Sequence, residues 1–168
     1  LSISIRKEQP GDAQAIHEVT VAAFRNAPHT DHTEQFIVEA LRKSGALAIS
    51  LVAEEEGNIL GHVALSPVSI SDGTSGWYGL GPISVHPNYQ GRGIGTALMQ
   101  AAIRELKSND AGGCVLLGDP NYYQRFGFEP SEALILPEVP PEYFQALLLR
   151  GPLPKGIVTY DASFSAQG

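Results

Sequence analysis

One cysteine is all that this sequence of 168 residues contains, so Cys114 has no partner for an internal disulfide. The same scarcity excludes every metal site built from several thiolates and fits a reducing, cytoplasmic compartment. Cys114 opens the apolar run Cys114-Val115-Leu116-Leu117 and has no basic neighbour to activate it, which predicts a small core residue on a strand. No Gly-x-Ser-x-Gly elbow is present, so nothing points to a covalent acyl-enzyme. Cationic residues are also few: 11 Lys and Arg against 18 Asp and Glu give a formal net charge of -7. Without a basic face the chain lacks the usual footprint for nucleic acid or an anionic membrane, and a small or cationic partner is easier to accommodate. No stretch approaches the roughly 20 apolar residues that span a bilayer, and the N-terminus lacks a signal peptide's basic-then-apolar pattern.

What is present is an ordinary globular balance, 43% hydrophobic and 17% charged. Residues 1–168 therefore read as a single domain with a core of its own. Residues 3–6 alternate like a half-buried strand, and Gln9-Pro10-Gly11-Asp12 breaks it, with Asp12 placed to cap a helix from Ala13. A second helical pattern carries Phe36, Ile37, Ala40 and Leu41, after a polar loop over residues 26–32. Strands are expected over residues 47–53 and 59–68, joined by a hairpin whose turn uses Gly57-Asn58 and whose acidic tip, residues 54–56, is solvated. A further strand over residues 78–85 leads through a Gly-rich segment into a helix with two apolar rows, Ile94, Ala97, Leu98 and Ala101 and then Met99, Ile103 and Leu106, that give it a broad buried face. Pro120 starts a short helix, and residues 144–149 and 157–164 are expected to form a closing hairpin.

The order strand, Gln90-Gly91-Arg92-Gly93-Ile94-Gly95-Thr96, helix gathers unpaired backbone N–H groups and the positive end of a helix dipole at one spot. Such a spot attracts phosphate, and glycines let the main chain close around it. A nucleotide P-loop is excluded because no Gly-Lys-Ser/Thr ending follows, and Thr96 stands where a dinucleotide fingerprint needs its last glycine.

The segment from Ile83 through Leu98 resembles motif A of the GCN5-related N-acetyltransferase (GNAT) family, whose signature is Gln/Arg-x-x-Gly-x-Gly/Ala. Gln90, Gly93 and Gly95 fill its fixed positions. Downstream, Asn121-Tyr122-Tyr123-Gln124-Arg125-Phe126-Gly127-Phe128 is similar to the family's Tyr-x-x-x-Gly-Phe, with Tyr123 as its tyrosine. Together with Leu117-Gly118-Asp119-Pro120, this resembles the YhbS-type branch of predicted acetyltransferases.

The resemblance implies the GNAT acyl-CoA N-acyltransferase fold, an α/β (α+β) architecture with a mixed, mostly antiparallel central sheet flanked by helices. It implies acetyl-CoA as cosubstrate, no metal, and direct transfer of the acetyl group to an amine on a small molecule or protein. By the same resemblance the amides of Gln90, Gly91, Arg92, Gly93, Ile94, Gly95 and Thr96 bind the CoA pyrophosphate, with Arg92 either adding charge or simply solvated. The strand Ile83-Ser84-Val85 runs beside pantetheine, and a backbone N–H near Ile83 polarises the thioester. Tyr123 becomes the general acid for the departing thiolate. An acetyl-CoA-binding sensor without efficient transfer is the alternative.

The general base is left open among His29, His32, His86, Glu34, Asp119, Glu129 and a water relay. His62, inside an apolar strand, reads as a sheet residue, while Trp77 and Tyr78 read as core more readily than as an acceptor pocket. The run Ala146-Leu147-Leu148-Leu149 suits a homodimer interface and the internal core equally well.

Overall fold

The computed structural model describes residues 3–28 and 30–168. In chain order it places β1 (Ser4–Lys7), α1 (Ala13–Phe24), α2 (Glu34–Ser44), β2 (Ile49–Glu55), β3 (Asn58–Pro67), β4 (Ser69–Ile70) and β5 (Trp77–Val85). Then follow α3 (Ile94–Ser108), β6 (Gly113–Leu117), α4 (Pro120–Tyr123), β7 (Glu129–Pro130), β8 (Leu134–Ile135), β9 (Phe144–Leu148) and β10 (Gly156–Thr159). Seven strands form the main sheet in the order β1-β2-β3-β5-β6-β9-β7. All neighbours in it are antiparallel except β5 and β6. A parallel pair needs a crossover connection, and α3 supplies it.

The core follows from alternation on the strands and an apolar stripe on the helix. Leu98, Met99, Ala102 and Leu106 of α3 are fully buried against Leu51, Val63, Leu65 and Cys114 of the sheet. Gly61 lets α3 come this close: a Cβ there would sit 2.9 Å from the Ser84 carbonyl oxygen and 3.0 Å from Ile94 Cγ2. On the other face, Ile16 of α1 and Val38 of α2 pack on Val52.

Several expectations are corrected. Residues 144–149 and 157–164 do not pair as a hairpin. β9 lies between β6 and β7, whereas β10 joins β4 and β8 in a separate three-stranded sheet, and Ala162–Ser165 is a 3-10 turn. Pro152 and Pro154 in the connection remove ladder donors, and Val158 finds its apolar partners in Ile70 and Leu134 instead. The β2–β3 turn centres on Glu56 and Gly57, with φ of 52° and 82°, rather than on Gly57-Asn58, as a two-residue turn with both central residues left-handed requires. Asp12 makes no side-chain cap to α1; its carboxylate is bound by Arg6 at 2.8 Å and by the Gln9 N–H at 2.7 Å. One expectation holds: Trp77 is a core residue, buried to 2% exposure against Gly112 and Gly113.

Candidate active site

β5 and β6 are laddered only from Trp77 to Gly79 against Gly113 to Val115. From Leu80 onward they part. On its other side β5 stays paired with β3, and a bulge sets Gly81 and Pro82 opposite Ala64. The result is a wedge with one free strand edge, residues 80–85, facing the space between the two strands. The two strands thus splay apart from Leu80 onward.

At the far end of β5 the chain makes a 3-10 turn, Pro87–Tyr89, and enters the Gly-rich loop. Gly91 and Gly93 adopt φ of 82° and 81°, a left-handed conformation that side chains disfavour. Gly93 is the N-cap of the 15-residue helix α3 and contributes no side-chain cap, so the first-turn N–H groups point outward with the positive helix end behind them. A cavity of about 440 Å³ opens there, lined by Ile83, Val85, Gln90, Gly91, Gly93, Ile94, Gly95, Thr96 and Tyr123. This geometry fits a diphosphate continued by a thin flexible arm: donors at the loop, an apolar strand edge beyond.

Two side chains of the expected set point away from the cavity. Ser84 alternates to the opposite face of β5 and is buried at 2% exposure. Arg92 turns toward the β2–β3 hairpin, pairing with Glu55 at 3.0 Å and lying 5.5 Å from the Tyr89 ring centroid. Sequence reasoning also passed over residues that line the cavity: Ala23 and Phe24 at the end of α1, and Tyr122. A Cβ on Gly95 would approach the Tyr122 hydroxyl to 3.3 Å, and Arg125 lies over the same ring.

Tyr123 ends α4 at the mouth of the wedge. Asp119 caps this short helix by accepting the Asn121 N–H at 2.9 Å, and Pro120 occupies its first turn. Gly118 makes room for the phenol, since a Cβ there would fall 2.3 Å from a Tyr123 ring carbon. Tyr122 and Phe128 hold the ring edge-on, with centroids at 4.8 and 6.4 Å. Burial first, then the Tyr122 and Asp119 charges, push the Tyr123 hydroxyl up to about 12.

A second cavity, about 490 Å³, shares Phe24, Ile83 and Tyr123 with the first and continues on the other side of the tyrosine. Among the base candidates, Glu34 alone lines it. His86 is occupied by its own turn, where Nδ1 accepts the Asn88 N–H at 3.1 Å. Asp119 serves as the cap just described, Glu129 is exposed on β7, and His32 is exposed in the α1–α2 loop. His29 lies outside the described residues. His62 is fully buried in β3, bonded through Nε2 to Ser50 at 2.8 Å. Cys114 is likewise buried, which pushes its thiol up and leaves it inert. Among the described residues no group of three His, Cys, Asp or Glu gathers to hold a metal, and no helix is long and apolar enough to cross a membrane.

Comparison with known proteins agrees with this geometry. Residues 46–130, from the start of β2 through β7, match the acetyltransferase (GNAT) domain. The chain is 36% identical over 126 residues to the uncharacterized N-acetyltransferase YhbS of Escherichia coli, covering 74% of this chain and 72% of that protein. A GNAT family acetyltransferase from Brucella melitensis, solved in complex with acetyl-CoA, superposes with a TM-score of 0.87 at 48% identity, covering 97% of this chain and 98% of that one. The Escherichia coli YhbS structure, in complex with CoA, gives 0.88 at 32% identity over 100% and 94% of the two chains. The chain belongs to the GNAT family of N-acetyltransferases.

Proposed function

We propose that this chain transfers the acetyl group of acetyl-CoA to an amine by direct attack within a ternary complex. The observation that carries the reading is the junction of the two cavities at Tyr123: a glycine cradle lies on one side, an apolar chamber on the other, and the open edge of β5 between them. Acetyl-CoA and CoA are bound by the Brucella and Escherichia coli relatives, whose folds coincide with this one nearly throughout.

In this reading the N–H groups of residues 90–96 hold the pyrophosphate, and Ile83 and Val85 flank the pantetheine arm. A backbone N–H near Ile83, freed because β6 has turned away, donates to the thioester oxygen as charge develops on it. The Tyr123 hydroxyl donates to the departing sulfur. With Arg92 engaged by Glu55, the anion is held mainly by backbone donors.

Isothermal titration with acetyl-CoA, followed by thiol release across a panel of amines, tests the proposal. Micromolar binding with amine-dependent release is expected. Binding with no release for any amine would indicate an acetyl-CoA sensor, and absence of binding would refute the cradle.

A further inference from the structure

Among the described residues, one charged side chain lines the chamber beside Tyr123: Glu34, at the start of α2. Thr30 Oγ1 donates to one of its carboxylate oxygens, Oε2, and so fixes the group. The other oxygen, Oε1, is buried and has no partner among the described residues. The Tyr160 hydroxyl, also lining the chamber, is buried and has no partner among the described residues either. An unpaired buried carboxylate oxygen is costly to keep, and a cation with N–H donors is the ligand that would relieve it. The rest of the wall is apolar, with Ile37, Leu116, Leu136 and Phe164 facing the same space.

We propose that this chamber is the acceptor site and that its acceptor is a primary amine carried on an apolar, ring-sized body, bound as the ammonium by Glu34. The proposal rests on the acetyltransferase reading and adds a substrate class to it. A single carboxylate matches a single ammonium. Polyamines and basic peptides would leave further cations in a chamber that offers them no second acid. The net charge of -7 draws such cations toward the protein.

Glu34 also accounts for the proton. The bound ammonium gives one proton to its carboxylate, which passes it to solvent. The neutral nitrogen then attacks the thioester carbonyl, the C–N bond forms, and the C–S bond breaks. The second nitrogen proton compensates the leaving thiolate, so that amide, CoA thiol and one released proton are the products.

The test is titration of 2-phenylethylamine, 2-phenylethanol and ethanolamine into the intact protein, with acetyl-CoA titrated in parallel. The phenyl amine is expected to bind at least about tenfold more tightly than either the uncharged alcohol or the amine without a ring. Glu34→Gln, which keeps the shape, is expected to abolish the preference of amine over alcohol. It should raise the amine KM at least about tenfold and leave acetyl-CoA affinity within about twofold. Equal binding of amine and alcohol, tighter binding of ethanolamine, or an unchanged preference in Glu34→Gln overturns the proposal. Failure of acetyl-CoA to bind overturns the transferase reading instead, and the amine isotherms still decide the chamber's chemistry.

Discussion

Tyr123→Phe removes one oxygen and little else, because the ring keeps its edge contacts with Tyr122 and Phe128. The expected effect follows from how far the phenol's affinity for its proton exceeds that of a thiolate. The hydroxyl stands at about 12. An ordinary thiol titrates near 8.5, so complete proton transfer to a relaxed thiolate would be uphill by roughly 3.5 pH units, or about 5 kcal/mol. The phenol therefore works as a hydrogen-bond donor to sulfur as charge builds, not as the acid that ends up ionised. Loss of a hydrogen bond to a charged group costs about 1.5–3 kcal/mol, which lowers kcat roughly 10- to 150-fold. The assay is continuous thiol release at saturating acetyl-CoA, alongside a titration that reports acetyl-CoA affinity. That affinity should change by less than about threefold, since the interaction strengthens only as the bond breaks. The pH profile of the wild type should show no loss of rate from tyrosine ionisation up to about pH 10, two units below the phenol's value. A kcat within about threefold of wild type, or a basic limb below pH 10 that vanishes in Tyr123→Phe, would refute the reasoning.

Gly118→Ala places a methyl 2.3 Å from a Tyr123 ring carbon, so the ring must shift by an ångström or more; kcat should fall by up to about 100-fold, more than acetyl-CoA affinity does, when both are measured on one preparation. Gly61→Ala forces α3 away from the sheet, with contacts of 2.9 to 3.1 Å to Ser84, Ile94 and Leu98; a loss of roughly 1–3 kcal/mol is expected by urea unfolding, and an unchanged midpoint would show that the helix seat is loose. Burial lowers His62 from 6.5 to about 4, so the folded state resists its protonation. Its contribution is complete above about pH 6.5 and is lost as pH falls toward 4, roughly 3 kcal/mol in all and about 2 kcal/mol between pH 7 and 5. Urea unfolding at those two pH values should show this slope in the wild type and its absence in His62→Gln. Glu8, pulled up by burial but held lower on balance by Arg42 and Ser50, acts in the same direction below the ordinary carboxylate range, outside this window.

The glycine loop and helix start of the candidate site were legible in the sequence because their signal is local. A strand, a left-handed glycine pair and a helix start are consecutive in the chain, and their chemistry belongs to the backbone itself. Tyr123 was legible for a similar reason, lying one short helix after β6. Arg92 was legible only in part: the sequence leaves it between adding charge near the phosphates and simple solvation, and the β2–β3 hairpin brings Glu55 to it from 37 residues away. The late chain was misread because two-residue strands such as β4, β7 and β8 carry no periodicity. β9 and β10 look alike as isolated runs, and only partners distant in sequence decide that one enters the main sheet and the other leaves it.

The chamber beside Tyr123 combines these difficulties. Its walls come from the end of α1, the start of α2, the bulge of β5, the end of β6, the segment after β8 and the C-terminal 3-10 turn. No window of sequence contains more than a fraction of it, so Glu34 stood as one base candidate among several until the fold placed it, with Tyr160, in the wall of one chamber. This difference in construction has a functional consequence. The cradle depends on backbone groups that tolerate no Cβ at a few positions, whereas the chamber depends on side chains that can be exchanged one at a time without disturbing it. Because Phe24, Ile83 and Tyr123 are common to both cavities, substitutions at these three should disturb cofactor and acceptor together. Substitutions at Leu136 or Phe164, which line the chamber and not the glycine-loop cavity, should alter amine preference while acetyl-CoA still binds.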